Sequence, residues 1–306
     1  MIQVSLAADP AEEQASLEIY NAVWPTDAVT MDEVESFRRS QLDYVDFLAR
    51  IDGQLAGSGV GTVGPHRPDQ VMAITAVLPE RRHRGIGTAL YETISGWASE
   101  RGLDKLLARV SDDDPESLAF AQKRGFVQVT REKGLVLRLD EIEPPPVALP
   151  DGVEIAAWAE RPGIERGLYE VALEGVRDIP GQEDEEVEPF EAWLEHEMRG
   201  SGDREDATLV ALAGDEVIGY AKFSLTEAQP KTAHHDLTAV KRAWRRRGIA
   251  GALKAAQIRW AKEHGYEELR TRNEERNEPI RRLNARLGYR PAPGLIFFEG
   301  PLSPAP

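Results

Sequence analysis

The chain has 306 residues, of which 41% are hydrophobic and 29% charged, a composition typical of a soluble globular protein. Its net charge of −16 argues against nucleic-acid binding, which requires a basic surface, and the lack of cysteine excludes disulfides and thiolate metal sites. No apolar segment approaches the length of a membrane-spanning helix and no signal-peptide pattern opens the chain, so we expect a cytoplasmic protein without a membrane partner.

Both halves of the chain predict the same succession of elements. Each has an early helix, a strand pair, a strand that runs into a basic glycine turn, a helix, another strand and a last helix. Asp52-Gly53 and Gly214-Asp215 predict hairpin turns within the strand pairs. The helix after each glycine turn is amphipathic, with apolar faces formed by Leu90, Ile94, Trp97 and Ala98 and by Leu253, Ala256, Trp260 and Ala261.

This agreement reflects an internal duplication. Residues 74–102 and 237–265 align without a gap at an offset of 163, with 13 of 29 positions identical. The Gly125-Phe126 pair falls on Gly288-Tyr289 at the same offset, so the repeating unit is a whole domain. Four prolines in residues 141–152 indicate a stiff linker. We predict domains at 1–143 and 152–306, joined by a proline-rich linker at 144–151.

A glycine pattern in the first half is a weaker signal. Gly59, Gly61 and Gly64 match the spacing of a dinucleotide-binding loop, which should lie between a strand and a helix. The residues that follow contain two prolines and no helical face. The pattern therefore favours a glycine-rich strand or turn.

The duplicated turn has the features of an anion site. Arg82-His83-Arg84-Gly85-Ile86-Gly87 and Arg245-Arg246-Arg247-Gly248-Ile249-Ala250 each precede a helix. Glycine allows a close approach of the backbone, and the helix N-terminus carries partial positive charge. One such turn is also compatible with a solvated basic helix start. Two copies, each after a Thr-Ala-Val strand, favour binding of a phosphate group.

The turn resembles the (Gln/Arg)-x-x-Gly-x-(Gly/Ala) motif of the GNAT superfamily of acyl-CoA N-acyltransferases, which lies between the fourth strand and the third helix. Since both halves carry it, the chain resembles a tandem GNAT protein. The resemblance implies an α/β fold of two GNAT domains, each a central mixed, mostly antiparallel sheet flanked by helices, paired as an intramolecular pseudo-dimer. It also implies acetyl-CoA as the acyl donor, an amine of a small molecule or peptide as the acceptor, and no metal.

The resemblance further implies which residues bind acetyl-CoA. The pantetheine would pair with the backbone of Ala76, Val77, Ala239 and Val240. The pyrophosphate would contact Arg82, Arg84, Gly85, Gly87 and Thr88 in the first half and Arg245, Arg247, Gly248, Ala250 and Gly251 in the second. Asn277 resembles an asparagine that contacts the cofactor in this superfamily, and its counterpart in the first half is Asp114.

The two halves differ where GNAT enzymes usually carry a general base, on the fourth strand. Counting back six and four residues from Val240 gives His234 and Asp236, whereas counting back from Val77 gives Val71 and Ala73, which cannot titrate. We therefore predict that the C-terminal domain is catalytic and that the N-terminal domain is degenerate or structural. His234 would accept the proton of the amine near neutral pH, and Asp236 would orient a water or a cationic substrate. Alternatively, both residues merely line a strand end.

Other features leave the reaction less defined. The tyrosine that many GNAT enzymes use as general acid is replaced by Ala121 and Asn284, so we assign no acid. Residues 182–197 contain eight acidic residues and no lysine or arginine, which is compatible with a funnel for a cationic amine or with a solvated helix start. Two alternatives remain: acetylation of an amino-sugar-linked acceptor, as in mycothiol synthase, and a non-catalytic acetyl-CoA sensor.

Overall fold

The computed structural model describes residues 1–65, 67–180 and 187–304. Contacts between residues divide the chain into two compact units. Unit 1 consists of Met1–Arg131 with Leu295–Pro306, and unit 2 consists of Glu132–Gly294. In the part of the chain that is described, no helix is both long enough and apolar enough to cross a membrane.

Unit 1 is a mixed sheet with helices packed on it. Its strand order is β1-β2-β3-β4-β5-β12, and every neighbouring pair is antiparallel except β4 and β5. The strands are β1 Ile2–Leu6, β2 Asp43–Ile51, β3 Gln54–Gly64, β4 Arg67–Val77, β5 Lys105–Ser111 and the later part of β12 Arg290–Pro301. The helices are α1 Pro10–Val23, α2 Met31–Ser40, α3 Ile86–Glu100 and α4 Pro115–Lys123.

Unit 2 repeats this plan. Its strand order is β6-β11-β10-β9-β8-β7, with β10 and β11 as the parallel pair. The strands are the later part of β6 Val127–Arg138, β7 Val153–Ala157, β8 Leu209–Ala213, β9 Glu216–Leu225, β10 Thr232–Val240 and β11 Glu268–Glu274. The helices are α5 Glu165–Val176, α6 Phe190–Trp193 with a following π-helical turn at Leu194–Met198, α7 Ile249–Glu263 and α8 Glu278–Arg286. The predicted α/β architecture is thus confirmed for each unit.

The amphipathic helices bury the predicted faces except for Ala256 of α7, which is partly buried. In α3, Leu90, Ile94 and Ala98 are fully buried in the core of unit 1. The glycines of β3 bring this helix close to the sheet, because a Cβ on Gly59 would lie 3.0 Å from Leu90 and one on Gly61 would lie 3.2 Å from Trp97. The glycine-rich segment is therefore a strand, one of the two conformations predicted, and its glycines allow α3 to pack closely against it.

The last strand of each sheet comes from the other repeat. β6 and β12 occupy equivalent positions in the duplicated sequence, 163 residues apart. Residues 132–138 of β6 pair with β11 in unit 2, whereas residues 295–301 of β12 pair with β5 in unit 1. The two compact units therefore meet along the chain between residues 131 and 132 and between residues 294 and 295. The proline-rich segment at 144–151 separates the two sequence repeats but lies within unit 2.

Candidate active site

The basic glycine turn of unit 2 presents backbone N–H groups at the start of α7. Arg246 and Gly248 both have left-handed φ values, +60° and +86°, an alternation that turns successive N–H groups toward one side. Gly248 is the N-cap of α7, and no described side chain caps the helix. A Cβ on Gly248 would meet nothing within 4 Å. This helix end is thus open to an anion, which the helix dipole favours.

The turn of unit 1 has the same backbone but different surroundings. His83 and Gly85 have φ values of +60° and +86°. Arg82, however, lies 3.3 Å from the Asp114 carboxylate and 3.5 Å from that of Glu116. Burial opposes ionisation of Asp114, but hydrogen bonds from Ser117 and the charge of Arg82 lower its pKa, so it is ionised at neutral pH. A phosphate would meet carboxylates at this turn.

Other groups expected to hold the anion in unit 1 are also engaged. Arg84 lies 3.7 Å from the Asp52 carboxylate. The Thr88 hydroxyl accepts a hydrogen bond of 2.6 Å from Arg124. A Cβ on Gly87 would lie 3.4 Å from the Phe120 ring. The turn of unit 1 is therefore more enclosed and more neutralised than that of unit 2.

The basic side chains of unit 2 contribute positive charge in unequal ways. Arg245 donates to the Val240 carbonyl oxygen at 2.8 Å and pairs with Asp178. Arg247 donates to the Ala243 carbonyl oxygen at 3.2 Å. Within the described ranges Arg246 and Arg247 have no ion-pair partner, so their charge is uncompensated. The structure thus places Arg245 and Arg247 beside the turn, where Arg245 is held by its own chain.

Asn277 replaces the carboxylate that occupies the turn of unit 1. It is the N-cap residue of α8, but its side chain makes no capping bond. Its counterpart Asp114 accepts from two backbone N–H groups at the start of α4. Ala250 and Gly251 of unit 2 correspond to Gly87 and Thr88 of unit 1. Their side chains are small, and even a Cβ added to Gly251 would lie 3.5 Å from Leu283 of α8. The second turn is consequently less obstructed.

Two diverging strands form a cleft beside each turn. β10 pairs with β11 only through Thr232–His234, so one edge of its later residues has no partner in β11. Ala239 and Val240 lie in this later part and pair with β9 on their other edge. In unit 1, β4 pairs with β5 only at residues 71–73, before Ala76 and Val77. An extended ligand that carries amide groups can hydrogen-bond to such an open strand edge.

A β-bulge interrupts β10 where the strands diverge. His235 pairs with Phe223 and Thr238 pairs with Ala221, so Asp236 and Leu237 both lie opposite the single residue Lys222. A bulge of this kind re-aims side chains and is frequent next to active sites.

The bulge has no equivalent at this place in β4. Thr75 pairs with Gly59 and Ala73 with Gly61, without an extra residue. Because of the extra residue, His234 occupies the same place in its sheet as Met72 does in the sheet of unit 1. Counting along the sequence instead gave Val71, which is one residue away. Since methionine does not titrate, the difference between the two units remains.

Asp236 belongs to a cluster built around a buried lysine. The Lys222 ammonium is 2.8 Å from the Asp203 carboxylate and 2.8 Å from that of Asp236, and it also donates to the Glu197 carbonyl oxygen. The side chains of Lys222 and Asp203 are 6% and 9% exposed, whereas that of Asp236 is 40% exposed. The ion-paired cluster thus opens to solvent through Asp236.

The cluster has an excess of negative charge. Burial raises the pKa of Asp203, against the attraction of Lys222. Burial of the carboxylate and repulsion from Asp236 raise the pKa of Glu197, although the residue as a whole is exposed. Burial opposes the charge on Lys222, but Asp236 and Asp203 raise its pKa, so it stays protonated. One cation among three carboxylates favours the approach of a second cation.

His234 lies next to this cluster but has different partners. It is half-buried, and its Nε2 is 3.2 Å from the Gln229 side-chain oxygen. In the sheet it lies between Ser224 of β9 and Arg270 of β11, at the last residue pair before the strands diverge. The predicted catalytic pair thus lies within β10 where this strand diverges from β11, with Asp236 bound to Lys222 and His234 near Gln229.

His235 lies in a buried polar network. Its Nδ1 is 3.0 Å from the Gln257 side-chain oxygen and its Nε2 accepts from the Tyr289 hydroxyl, an arrangement that places the proton on Nδ1. Burial and the nearby Lys254 lower the pKa of His235 well below 6.5, so the ring is neutral. It is therefore unsuited to hold the proton of an amine.

Lys254 is 1% exposed and its nitrogen lies 5.5 Å from the centre of the Tyr289 ring. Burial lowers the pKa of Lys254 to about 7, and the described part of the chain offers it no ion-pair partner. The positions of Lys254, Gln257 and Tyr289 are taken in unit 1 by Tyr91, Ile94 and Phe126. Unit 2 thus keeps polar groups in its interior where unit 1 has aromatic and aliphatic ones.

A pair of asparagines lies beside the cleft. Asn284, at the position of the family tyrosine, is fully buried and donates to the Asn273 side-chain oxygen at 2.8 Å. Asn273 belongs to the part of β11 that has left β10. The side-chain oxygen of Asn284 has no hydrogen-bond partner among the described residues. An amide can donate a hydrogen bond here but cannot supply a proton.

Sequence reasoning missed Lys222, Asp203 and Glu197. Only Lys222 left a signal, because it is the one charged residue within the apolar run of β9 after Glu216. Asp203 and Glu197 come from irregular or π-helical segments that no periodicity connects to the strand. Of the acidic segment, residues 182–186 lie outside the described residues, while Glu188 lies 2.9 Å from the His196 ring.

We expect replacement of Lys222 by methionine to lower the free energy of unfolding by about 3 kcal/mol, since it leaves the buried Asp203 without its counter-ion. Adding Asp203→Asn should recover more than half of this loss. Lys231→Met is the control, because its pair with Glu267 is exposed on both sides and such pairs are worth under about 1 kcal/mol. Urea unfolding measures all three variants, and equal losses for the two lysines would contradict the buried cluster.

The site geometry defines a class of protein. An open helix N-terminus for a phosphate, a strand edge for an extended amide chain and carboxylates beside that edge are the parts required of an acyl-CoA-dependent acyltransferase. Residues 13–126 and 167–289 match the family described as "Acetyltransferase (GNAT) family". The chain therefore belongs to this family, with two tandem copies of its domain.

Comparison with individual proteins gives partial matches in sequence and full matches in fold. An L-2,4-diaminobutyric acid acetyltransferase of Nocardia farcinica (strain IFM 10152) is 34% identical over 91 residues, which cover 29% of this chain and 45% of the relative. The chain thus matches less than half the length of that relative.

Solved structures resemble the whole chain. A tandem GNAT protein from the clavulanic acid biosynthesis pathway has a TM-score of 0.78 at 20% identity, with 100% of both chains covered. A GCN5-related N-acetyltransferase from Sphaerobacter thermophilus has a TM-score of 0.76 at 21% identity, over 100% of this chain and 97% of the other. At these identities the likeness concerns the fold.

Proposed function

We propose that the protein transfers an acetyl group from acetyl-CoA to a primary amine of a small cationic molecule, and that the reaction takes place in unit 2. One observation carries the proposal. In unit 2 the later residues of β10 begin at the exposed carboxylate of Asp236 and lead to the open glycine turn. In unit 1 the arginine of the corresponding turn is paired with carboxylates.

The residues of unit 2 fit acetyl-CoA. Backbone N–H groups after Gly248 would bind the pyrophosphate, assisted by the charges of Arg246 and Arg247. The free edge of Ala239 and Val240 would bind the pantetheine amides, and Asn277 would lie beside the cofactor without adding negative charge. When bound, acetyl-CoA supplies an activated thioester.

The carboxylates around Lys222 would receive the acceptor. An alkylammonium group has a pKa near 10.4 by analogy with lysine, so it arrives charged and is attracted to Asp236 and Glu197. It must lose a proton before its nitrogen can attack. His234 would accept that proton, directly or through a water, while Asp236 holds the acceptor in place.

The acyl transfer then needs little further chemistry from the protein. The amine nitrogen forms a bond to the carbonyl carbon, and a backbone N–H near Val240 stabilises the negative oxygen that results. The carbon–sulfur bond then breaks, the electron pair leaves with sulfur, and the nitrogen gives its second proton to the thiolate or to water, which leaves a neutral amide. Since a thiol has a pKa of about 8.5, the thiolate is an acceptable leaving group, and Asn284 need not supply a proton.

The relative from Nocardia farcinica supports a cationic acceptor. Its name assigns it to L-2,4-diaminobutyric acid, a molecule with two amino groups. The excess of carboxylates in unit 2 suits an acceptor of this kind, with one amino group bound as a cation and the other free to react. Unit 1 would bind acetyl-CoA weakly or serve as a structural partner.

The experiment is to measure coenzyme A release from acetyl-CoA with diamines, diamino acids, aminoglycosides, lysine peptides and desacetylmycothiol as acceptors. We expect turnover with diamines or diamino acids, and losses of about 100-fold in His234→Ala and Asp236→Ala. Met72→Ala, at the position of His234 in unit 1, is the matched control and should stay near the parent rate. Turnover that survives both substitutions would contradict the assigned roles, and acetyl-CoA binding without any acceptor would favour a sensor.

A further inference from the structure

Unit 1 has a second set of polar groups, around Arg109, that the acetyl transfer does not use. We propose that its cleft binds a small carboxylate at this arginine. The site is built by α1 and the residue that follows it, by β5 and by the later part of β12, all within unit 1. It takes a ligand of the opposite charge from the acceptor proposed for unit 2.

Arg109 lies at the point where the cleft of unit 1 opens. β4 and β5 pair through Ala73 and Ala108, and Arg109 is the next residue of β5. Its side chain is half-buried. A ligand that enters between the diverging strands would therefore meet this guanidinium group.

The guanidinium group has donors to spare. One of its terminal nitrogens donates to the Tyr20 hydroxyl at 2.6 Å. Its Nε is buried and has no hydrogen-bond partner among the residues described. In the same set of residues no carboxylate lies within ion-pair distance of Arg109. A buried donor without a partner is costly in a folded protein and indicates a missing acceptor.

Trp24 supplies a second unpaired donor beside the first. The centre of its ring is 5.6 Å from the Arg109 guanidinium carbon. Its indole Nε1 is also buried without a partner within the described ranges. Two N–H donors and a positive charge with no acceptor match the two oxygens of a carboxylate.

Arg38 and Arg131 of unit 1 also have a buried Nε without a hydrogen-bond partner among the described residues, but unlike Arg109 each is paired with a carboxylate. Arg131 pairs with Asp112 at 2.7 Å, and Arg38 pairs with Glu13 at 2.9 Å. Both interactions neutralise the guanidinium group with a carboxylate of the protein. Arg109 has only a phenol and aromatic rings, so a carboxylate that neutralises it would come from outside the protein.

The walls of the site are aromatic and fixed. Phe297 of β12 lies directly opposite Arg109 in the sheet, where side chains are neighbours. The segment after α1 is held by Asn21, whose side chain makes two hydrogen bonds with the backbone of Val29. The N–H of Asp27 donates to the Trp24 carbonyl. Rigid aromatic walls favour a carboxylate with an apolar body over a highly polar one.

The test uses the full chain without acetyl-CoA and phenylacetate as the probe, in isothermal titration calorimetry. We expect one saturable site per chain, with at least tenfold weaker binding of phenylacetamide, which has the same shape without the charge. Arg109→Gln should weaken phenylacetate binding at least tenfold, and Arg109→Lys, which keeps the charge, should weaken it less. Arg124→Gln, an arginine of unit 1 stacked on Phe120, is the control and should leave binding unchanged.

Three results would overturn the proposal. These are equal affinity for phenylacetate and phenylacetamide, undiminished binding by Arg109→Gln, and no binding up to about 10 mM, which would mean that water alone satisfies the two donors. Far-ultraviolet circular dichroism of each variant shows whether it is folded. Because the titration contains no acyl donor and no amine, its outcome is independent of the acetyl transfer proposed for unit 2.

Discussion

Gly248→Asp is expected to reduce turnover at least 100-fold, whereas Gly85→Asp should leave it within about threefold of the parent. The aspartate would place a negative charge at the N-terminus of α7, where the pyrophosphate is proposed to bind, and would remove the space now in front of Gly248. Like charges placed against each other cost several kcal/mol, and about 2.7 kcal/mol corresponds to 100-fold. In unit 1, by contrast, the turn already faces Asp114 and Glu116.

The two substitutions form a matched pair because the backbone strain is equal. Both glycines have φ of +86°, a conformation that costs an L-residue about 1–2 kcal/mol. Gly248→Ala isolates this strain, and we expect it to lose far less activity than Gly248→Asp. Steady-state rates and acetyl-CoA titrations measure the effect. A larger loss in Gly85→Asp than in Gly248→Asp would assign the reaction to unit 1.

Lys254→Met is expected to raise the free energy of unfolding by about 4 kcal/mol at pH 7. Burial lowers the pKa of Lys254 from 10.5 to about 7. A shift of that size corresponds to roughly 1.4 kcal/mol for each unit, and methionine fills a similar volume without a charge. The wild-type protein thus loses the free energy needed to bury or deprotonate a lysine, and the variant does not.

The gain in the free energy of unfolding from Lys254→Met should decrease as the pH rises. Below about pH 7 the lysine is charged in both states, and the full cost of burying the charge is present. Between pH 7 and 10.5 the unfolded chain holds a proton that the folded protein has released, so the stability of the wild type rises with pH. The advantage of Lys254→Met should therefore shrink over this range and vanish near pH 10.5.

Chemical unfolding at pH 6, 8 and 9.5 measures this trend. Lys262→Met, on the same helix, is the control, since Lys262 is half-buried and donates to the Ile142 carbonyl oxygen at 2.7 Å. That variant should lose a little stability at every pH. A Lys254→Met gain that is independent of pH would show that packing, rather than the buried charge, is responsible.

The sequence predicted the fold because the duplication tested each pattern twice. The glycine turn and the amphipathic helix recur at a fixed offset of 163 residues. Each half also has a hairpin glycine, Gly53 or Gly214, although these two are 161 residues apart. Gly85 and Gly248, for example, adopt the same left-handed φ in the two units. Such positions are recognisable because few residues other than glycine tolerate them.

The chemistry of the site was less accessible to sequence reasoning. Asp236 was identified by counting along a strand, but its partner Lys222 lies on the neighbouring strand and Asp203 on a loop. The bulge in β10 also shifted the count by one residue upstream of Asp236. Side chains that meet through tertiary packing leave no fixed spacing in the sequence, so their pairing had to come from the structure.

The exchange of β6 and β12 has a consequence for biosynthesis. The ribosome makes β5 and then β6 before any of the second repeat, whereas β12, which pairs with β5, comes more than 150 residues after β6. During that interval β5 lacks its partner β12, while β6, the repeat equivalent of β12, has already been made. The first unit must therefore either leave its sheet incomplete or release a temporary partner. Synonymous codons that slow translation of the second repeat should favour the wrong pairing.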